Sequence, residues 1–304
     1  MYEVKVIPFM RYRNLALAFS VLLMLASFVS FGVKGLNFGL DFTGGTLVEV
    51  VYDKPVDVES VRQLLDDEGF KGAIVQNFGA ETDVMIRMQR SDAKQLADEI
   101  VATLRADGTQ VQVHRVEFVG PQVGDELKEQ GGLGMLLALA AIMAYVSMRF
   151  QFKFAVAAVL GLLHTAIITL GFFSWFQWEF DLTVLAALLA MVGYSLNDTI
   201  IVADRIRENF RLLRKGSADE IIDYSITQTL SRTVVTALTT LLVLFVLLFF
   251  GGNTIFGFSI MLIIGIIIGT YASIYVCTSI LLMAKVNKED LIVRDKEDET
   301  YDTP

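Results

Sequence analysis

Residues 191–209 read MVGYSLNDTIIVADRIREN. The stretch begins as helix apolar enough for lipid, sets Asn197 beside Asp198 while both flanks are still apolar, and turns charged only from Asp204 onward. An Asp near the centre of a membrane helix costs roughly 2.5 to 3.5 kcal/mol on insertion scales, so Asp198 must face protein or trapped water rather than acyl chains. Desolvation disfavours the charged form of such an acid and a nearby cation favours it, so small movements of a partner can load or release a proton. Two readings follow: a proton site, or a static hydrogen bond between packed helices.

The 304 residues are 54% hydrophobic and 19% charged, with a mean hydropathy of +0.55. That is too apolar for a water-soluble domain and too charged for bare membrane spans, which predicts a helical bundle plus one water-exposed domain. The net charge of −9 is unevenly placed: residues 37–120 hold 15 Asp and Glu against 8 Lys and Arg, and residues 287–304 hold 7 against 3. Basic residues otherwise cluster in short loops, a pattern that argues against a nucleic-acid partner. The single Cys277 cannot form an intrachain disulfide or a cysteine metal site.

Residues 1–13 carry Lys5, Arg11 and Arg13 ahead of an apolar run from Leu15 to Phe31 that is long enough to span as a helix. The run exceeds the usual core of a signal peptide, so the expectation is an uncleaved anchor, with the first span and its exit over 14–36. Residues 37–120 read as a soluble insert. It opens with NFGLDFTGGTLVEVVYD, in which Gly44 and Gly45 break the chain and the next residues alternate as a strand. A helix from Asp57 places Val58, Val61, Leu64 and Leu65 on one face. Strands are expected at 73–78 and 83–88, and a second helix capped by Ser91 carries Leu96, Ile100 and Leu104. A last strand over 110–118 should turn Val111, Val113 and Arg115 away from Gln112, His114 and Val116. The β-α-β-β-α-β order is the ferredoxin-like arrangement, a sheet with helices on one side. His114 has no partner at metal spacing and reads as an exposed strand residue.

After a linker over 121–131, residues 132–286 hold five more spans, at 132–148, 154–173, 182–203, 233–250 and 255–284, and residues 287–304 form an acidic tail expected to be disordered. Arg11, Arg13, Arg149, Lys153, Arg205, Arg207, Arg211, Arg214, Lys215, Lys285 and Lys288 fall on one side of this layout. By the positive-inside rule both termini are cytoplasmic and the insert lies outside, with Trp175 and Trp178 at the outer interface. Gly265, Gly269 and Ser273 recur at every fourth residue, a helix-packing face.

Asp198 lies about four residues, or about 6 Å, inside the cytoplasmic end of its span. The next span starts from the same side with Arg232, whose long side chain can reach that depth. The levels of Asp198 and Arg232 match. Beyond Arg232, Thr229, Thr233, Thr236 and Thr240 share a helix face that either packs through hydrogen bonds or lines a wet path. His164, in the middle of its span, is a secondary relay candidate against a plain packing role. No nucleophile elbow, P-loop, metal-ligand spacing or dinucleotide fingerprint occurs, so the chain is read as no enzyme, without cofactor, and driven by a proton gradient if by anything.

Three strings then carry a resemblance: LDFTGGTLVEV after the first span, GYSLNDTIIVADRIRENF in the fourth, and TQTLSRTVVTALTTLLVLFVLLFFGG in the fifth. In that order they resemble the SecD/SecF family, accessory to the bacterial Sec protein-export channel and related to resistance-nodulation-division exporters. The resemblance implies a six-helix half of such a bundle, with one ferredoxin-like periplasmic domain between the first two spans. It implies SecD as the other half, contact with the Sec channel (SecY, SecE, SecG) and YajC, and export of polypeptides across the inner membrane driven by the proton-motive force. It casts Asp198 as the relay carboxylate, Arg232 as its basic partner, Asn197 as the polar neighbour, and Asp41, Gly44 and Gly45 as the signature opening the periplasmic domain. Many relatives have an acid after the third-span His; here Thr165 stands there, which weakens a relay role for His164. The alternatives are half of a proton-coupled exporter of lipids or small molecules, or a scaffold in which the charged pair is fixed.

Overall fold

Away from water only internal backbone bonding satisfies N–H and C=O groups, so long aliphatic runs without proline become helices. The computed structural model describes residues 6–286 except 79, 91, 107–109, 150–151 and 214–215, with backbone alone at residue 253. A 3₁₀ turn, Met10–Tyr12, leads into α1 (Arg13–Val33). The turn is docked on a later helix: the Met10 N–H donates to Asp223 Oδ1 at 2.8 Å, and Arg13 pairs with Asp219 at 2.7 Å.

The chain then forms β1 (Asn37–Phe38), α2 (Leu40–Thr43), β2 (Gly45–Tyr52), α3 (Val58–Asp67), β3 (Ile74–Asn77), β4 (Asp83–Met88), α4 (Ala93–Arg105) and β5 (Val111–Val119). From β2 to β5 the sheet order is β3-β4-β2-β5 with every neighbour antiparallel, the ferredoxin-like topology. Val48, Val50 and Ile86 of the sheet bury against Leu65 of α3 and Leu96 and Ile100 of α4. Asp57 caps α3, accepting from the Glu59 and Ser60 N–H groups. The expected cap of the second helix, Ser91, lies outside the described residues.

One strand expectation is corrected. Glu49 pairs with Arg115 but Val50 pairs with Val113, so His114 is an extra residue in β5 and the alternation slips there. Opposed residues share a face, so Val113 and Val116 lie with the core residues Val50 and Val48 while Arg115 lies with Glu49 on the other face.

The remaining helices are α5 (Pro121–Arg149), α6 (Phe152–Phe176), α7 (Leu182–Leu212), α8 (Ala218–Phe250) and α9 (Asn253–Tyr271). A π-helical segment, Ala272–Cys277, joins α9 to α10 (Thr278–Met283). Between α6 and α7 lies β6 (Glu179–Phe180). Among the described residues six helices, counting α9 to α10 as one, are long and apolar enough to cross a membrane. Two expected boundaries move. The linker over 121–131 is the beginning of α5, because Pro121 suits a first helical position and the residues after it are good helix formers. The fifth span does not begin at residue 233: a capping box of Ser217 and Glu220 starts α8 fifteen residues earlier, leaving Arg232 inside a continuous helix. The acidic tail, 287–304, lies outside the described residues.

Within the bundle α6, α7 and the α9–α10 helix are central, with about half of their most apolar stretches buried, whereas α1, α5 and α8 are mostly exposed. The stripe of small residues on α9 packs against α7: a Cβ on Gly265 would overlap Met191, and one on Gly269 would come within 2.9 Å of the Ser195 hydroxyl. Small residues here allow the backbone of α9 to approach α7 closely.

Candidate functional site

The α7 segment around Asp198 faces the centre of the bundle because Met191, Val192, Ser195, Asp198, Thr199 and Val202 repeat at helical spacing and are all buried. Asp198 is 2% exposed. Its Oδ2 accepts from the Thr270 hydroxyl of α9 at 3.4 Å, and the π-helical segment starts two residues beyond that donor. Wide turns of this kind inside α-helices occur often at functional positions. Beside the acid, Thr199 donates to the Ser195 carbonyl at 3.0 Å and lies 4.0 Å from the Cys277 thiol.

The expected Asp198–Arg232 pair is not formed. Asp198 has no ion-pair partner among the described residues, and Arg232 lies exposed on α8 without one. Matching depth was the basis for the pair, but depth leaves open which side of the helix a residue occupies. Successive residues are about 100° apart around a helix. For that reason Asn197, adjacent in sequence to the buried Asp198, is exposed. Arg232 and Asn197 therefore belong to outward faces, and Thr270 is the partner that the sequence did not disclose.

The threonines of α8 divide. Thr229 donates to the Ser225 carbonyl, Thr236 to Arg232 and Thr240 to Thr236, each four residues back along the same helix. Thr233, 2% exposed, has an Oγ1 without a partner among the described residues. His164 is 4% exposed, and neither ring nitrogen has a hydrogen-bond partner among the described residues. Its ring lies 6.4 Å from that of Tyr271, whose hydroxyl donates to the Ala16 carbonyl of α1 at 2.6 Å. The residue after Thr270 thus connects the neighbourhood of the buried acid to the first span. Among the described residues no cluster of three or more His, Cys, Asp or Glu is placed to hold a metal ion.

Asp41, Gly44 and Gly45 form a second locus, where the ferredoxin-like domain meets the bundle. Gly44 and Gly45 have φ of +67° and +113°, conformations that side chains rarely adopt. A Cβ on Gly44 would stand 2.7 Å from the Pro121 Cα, and one on Gly45 would overlap the Met88 carbonyl. The two glycines thus bring the entry of the domain, its β4 exit and the start of α5 to one point. Asp41 Oδ2 accepts from the Leu182 N–H, the first residue of α7, at 3.0 Å. Glu179 stands beside it, held above the ordinary carboxylate range by burial and drawn back by the Arg87 guanidinium. Asp181 is also raised by burial, against hydrogen bonding from the Val184 N–H that it caps. Sequence reading missed Arg87, Glu179 and Asp181; the only hint was an acidic link without Lys or Arg between two apolar helices.

A family model described as protein export membrane protein SecD/SecF, C-terminal, matches residues 99–287, and one described as the SecD/SecF GG motif matches residues 29–56. Protein translocase subunit SecF of Pseudomonas aeruginosa is 50% identical over 303 residues, covering 99% of both chains. The subunit of the same name from Vibrio alginolyticus is 51% identical, covering 97% of this chain and 95% of its own. Among solved structures, SecDF from Thermus thermophilus, titled a translocon-associated membrane protein, superposes with a TM-score of 0.85 at 37% identity. A structure titled SecDF in super-membrane-facing form gives 0.70 at 36% identity. Each match covers 94% of this chain, which spans only 40% of either solved chain.

Proposed function

Because the chain belongs to the SecD/SecF family of protein export membrane proteins, we propose that it acts with a SecD subunit beside the Sec channel. There it uses the proton-motive force to complete the translocation of secreted polypeptides across the membrane. In this reading it lies in the bacterial inner membrane with both termini cytoplasmic and contacts SecY, SecE, SecG and YajC. It is a non-enzymatic subunit that needs no cofactor beyond the gradient.

The observation that carries the reading is Asp198: a carboxylate 2% exposed, within a predicted span, bonded to a hydroxyl and to no cation among the described residues. A buried charge without a fixed counter-ion is a poor structural brace, because its desolvation is not offset. As a proton site it is well placed. Charged, it accepts from Thr270; protonated, it becomes a donor, and the bond that holds α7 to α9 changes polarity. Each elementary charge crossing 100 mV releases about 2.3 kcal/mol, enough to bias a two-state bundle. Arg232, exposed on α8, supplies its charge to the seam with the second half rather than to Asp198 directly, and Asn197 lies on an outward face of α7. His164 and Thr233, whose Oγ1 has no partner among the described residues, remain candidates for proton passage.

Cells whose only copy carries Asp198→Asn should accumulate precursor polypeptides while retaining normal amounts of the subunit. Normal secretion with that variant would contradict the reading.

A further inference from the structure

The external domain is attached to the bundle covalently through α1 and α5, but it is also attached to α7. β1 pairs in parallel with β6, Asn37 with Glu179 and Phe38 with Phe180. The Gly39 N–H donates to the Phe180 carbonyl at 2.9 Å. The start of α7 is tied to α2: Asp41 of α2 accepts from the N–H of Leu182, the first residue of α7, at 3.0 Å. Arg87 enters this joint from the sheet. Its side chain is 9% exposed, and its guanidinium donates to the Phe38 carbonyl at 2.8 Å and pairs with Glu179 at 3.4 Å. Gly39 leaves room for that carboxylate, since a Cβ there would stand 2.9 Å from Glu179 Oε1. Phe38, Phe42 and Phe180 close the joint, with ring centroids 5.7 to 6.0 Å apart.

We propose that Arg87 and Glu179 are positioning residues that make the external domain and α7 one mechanical body, so that displacement of the helix carrying Asp198 reaches the domain directly. The geometry supports this in two ways. Asp198 lies sixteen residues along α7 from Leu182, about 24 Å down a continuous helix whose upper end is bonded into the joint. Arg87 also offsets a crowding of acids at Glu179, its ion-pair partner, whose carboxyl is raised above its ordinary value by burial and by the nearby charges of Asp181 and Asp41 and lowered by the guanidinium. Without the guanidinium these acids repel one another across the boundary between domain and bundle, and the joint loosens. The inference rests on the reading of Asp198 as the proton site and adds the route by which its movement leaves the membrane.

The test uses the full chain with its partner subunit and channel in membrane vesicles, scoring export with and without a proton gradient. Arg87→Ala should lose most of the gradient-stimulated export, several-fold or more, while co-purifying normally with the partner; Arg87→Lys should restore part of it. The decisive arm places cysteines at Phe38 and Phe180, directly opposed across β1 and β6, in a Cys277→Ala background. Oxidised, this clamp should leave gradient-stimulated export intact and should rescue Arg87→Ala, with the rescue removed by reductant. Normal export by Arg87→Ala, failure of the clamp to rescue it, or loss of export when the clamp closes on the Arg87 chain would each overturn the proposal. If Arg87→Ala does not assemble, the clamp on the Arg87 chain decides alone. Asp198→Asn is run in parallel: if it retains gradient stimulation, the proton-site reading fails; if it loses stimulation while Arg87→Ala keeps it, only the joint fails.

Discussion

Asp198 and Arg232 stand on consecutive helices without meeting: the acid is turned inward against Thr270, and the guanidinium is turned outward on α8. An exposed charge with no ion-pair partner among the described residues contributes little to the stability of the chain. Arg232→Ala should therefore leave the isolated protein within about 0.5 kcal/mol of the parent, or about 1–2 °C in Tm. Gradient-stimulated export should nevertheless fall. A large loss of thermal stability in detergent would show that Arg232 supports the fold of the chain itself.

Gly161 of α6 lies directly against the Cys277 thiol, where an added Cβ would overlap the sulfur. Gly161→Ala should overpack this contact at a cost of about 1–3 kcal/mol. Cys277→Ala removes the obstructing atom, so the double variant should recover most of the loss in Tm. Equal instability of the single and double variants would mean that the clash lies elsewhere.

Gly45→Ala should be the most damaging small substitution in the ferredoxin-like domain. It combines a φ of +113° with an overlap at the Met88 carbonyl, which is backbone and cannot turn aside. Strain of this kind costs on the order of 1–3 kcal/mol before the clash is counted. Loss of the folded domain, followed by limited proteolysis, is the expected result; a protease pattern like the parent's would contradict it.

Burial holds the Glu49 carboxyl above its ordinary value, opposed by Arg115 and His114. The folded chain therefore binds this proton more tightly than the unfolded chain does. The stabilisation is fully present below the ordinary carboxylate value and is lost as pH rises through the raised one. Glu49→Gln removes the titration, so the variant should show a flatter pH profile of Tm than the parent and a higher Tm near neutrality. Parallel profiles for the two proteins would exclude Glu49 as a source of the dependence.

Periodicity made the helices and the order of the ferredoxin-like domain legible. Val61 and Leu65 of α3, and Leu96, Ile100 and Leu104 of α4, repeat at spacings that only a one-sided helix explains, and all are buried. Asp198 was legible for a different reason, since its chemistry conflicts with its surroundings. What stayed hidden depends on azimuth or on distance along the chain. Arg232 has a suitable depth for Asp198 but occupies another side of its helix. Thr270 is 72 residues from Asp198, and nothing local distinguishes it from any threonine in a span. β1 and β6 are two residues each, too short for an alternation to register, and they pair across 142 positions. The bulge at His114 slipped the strand pattern because an inserted residue alters the faces without altering composition.

The central claim is that Asp198 couples the proton gradient to export, and the most direct measurement is the ratio of polypeptide export with and without an imposed gradient in vesicles holding the assembled complex. The account predicts a ratio well above one for the parent chain and close to one for Asp198→Asn, with basal export and assembly unchanged. A ratio for Asp198→Asn equal to the parent's would contradict it.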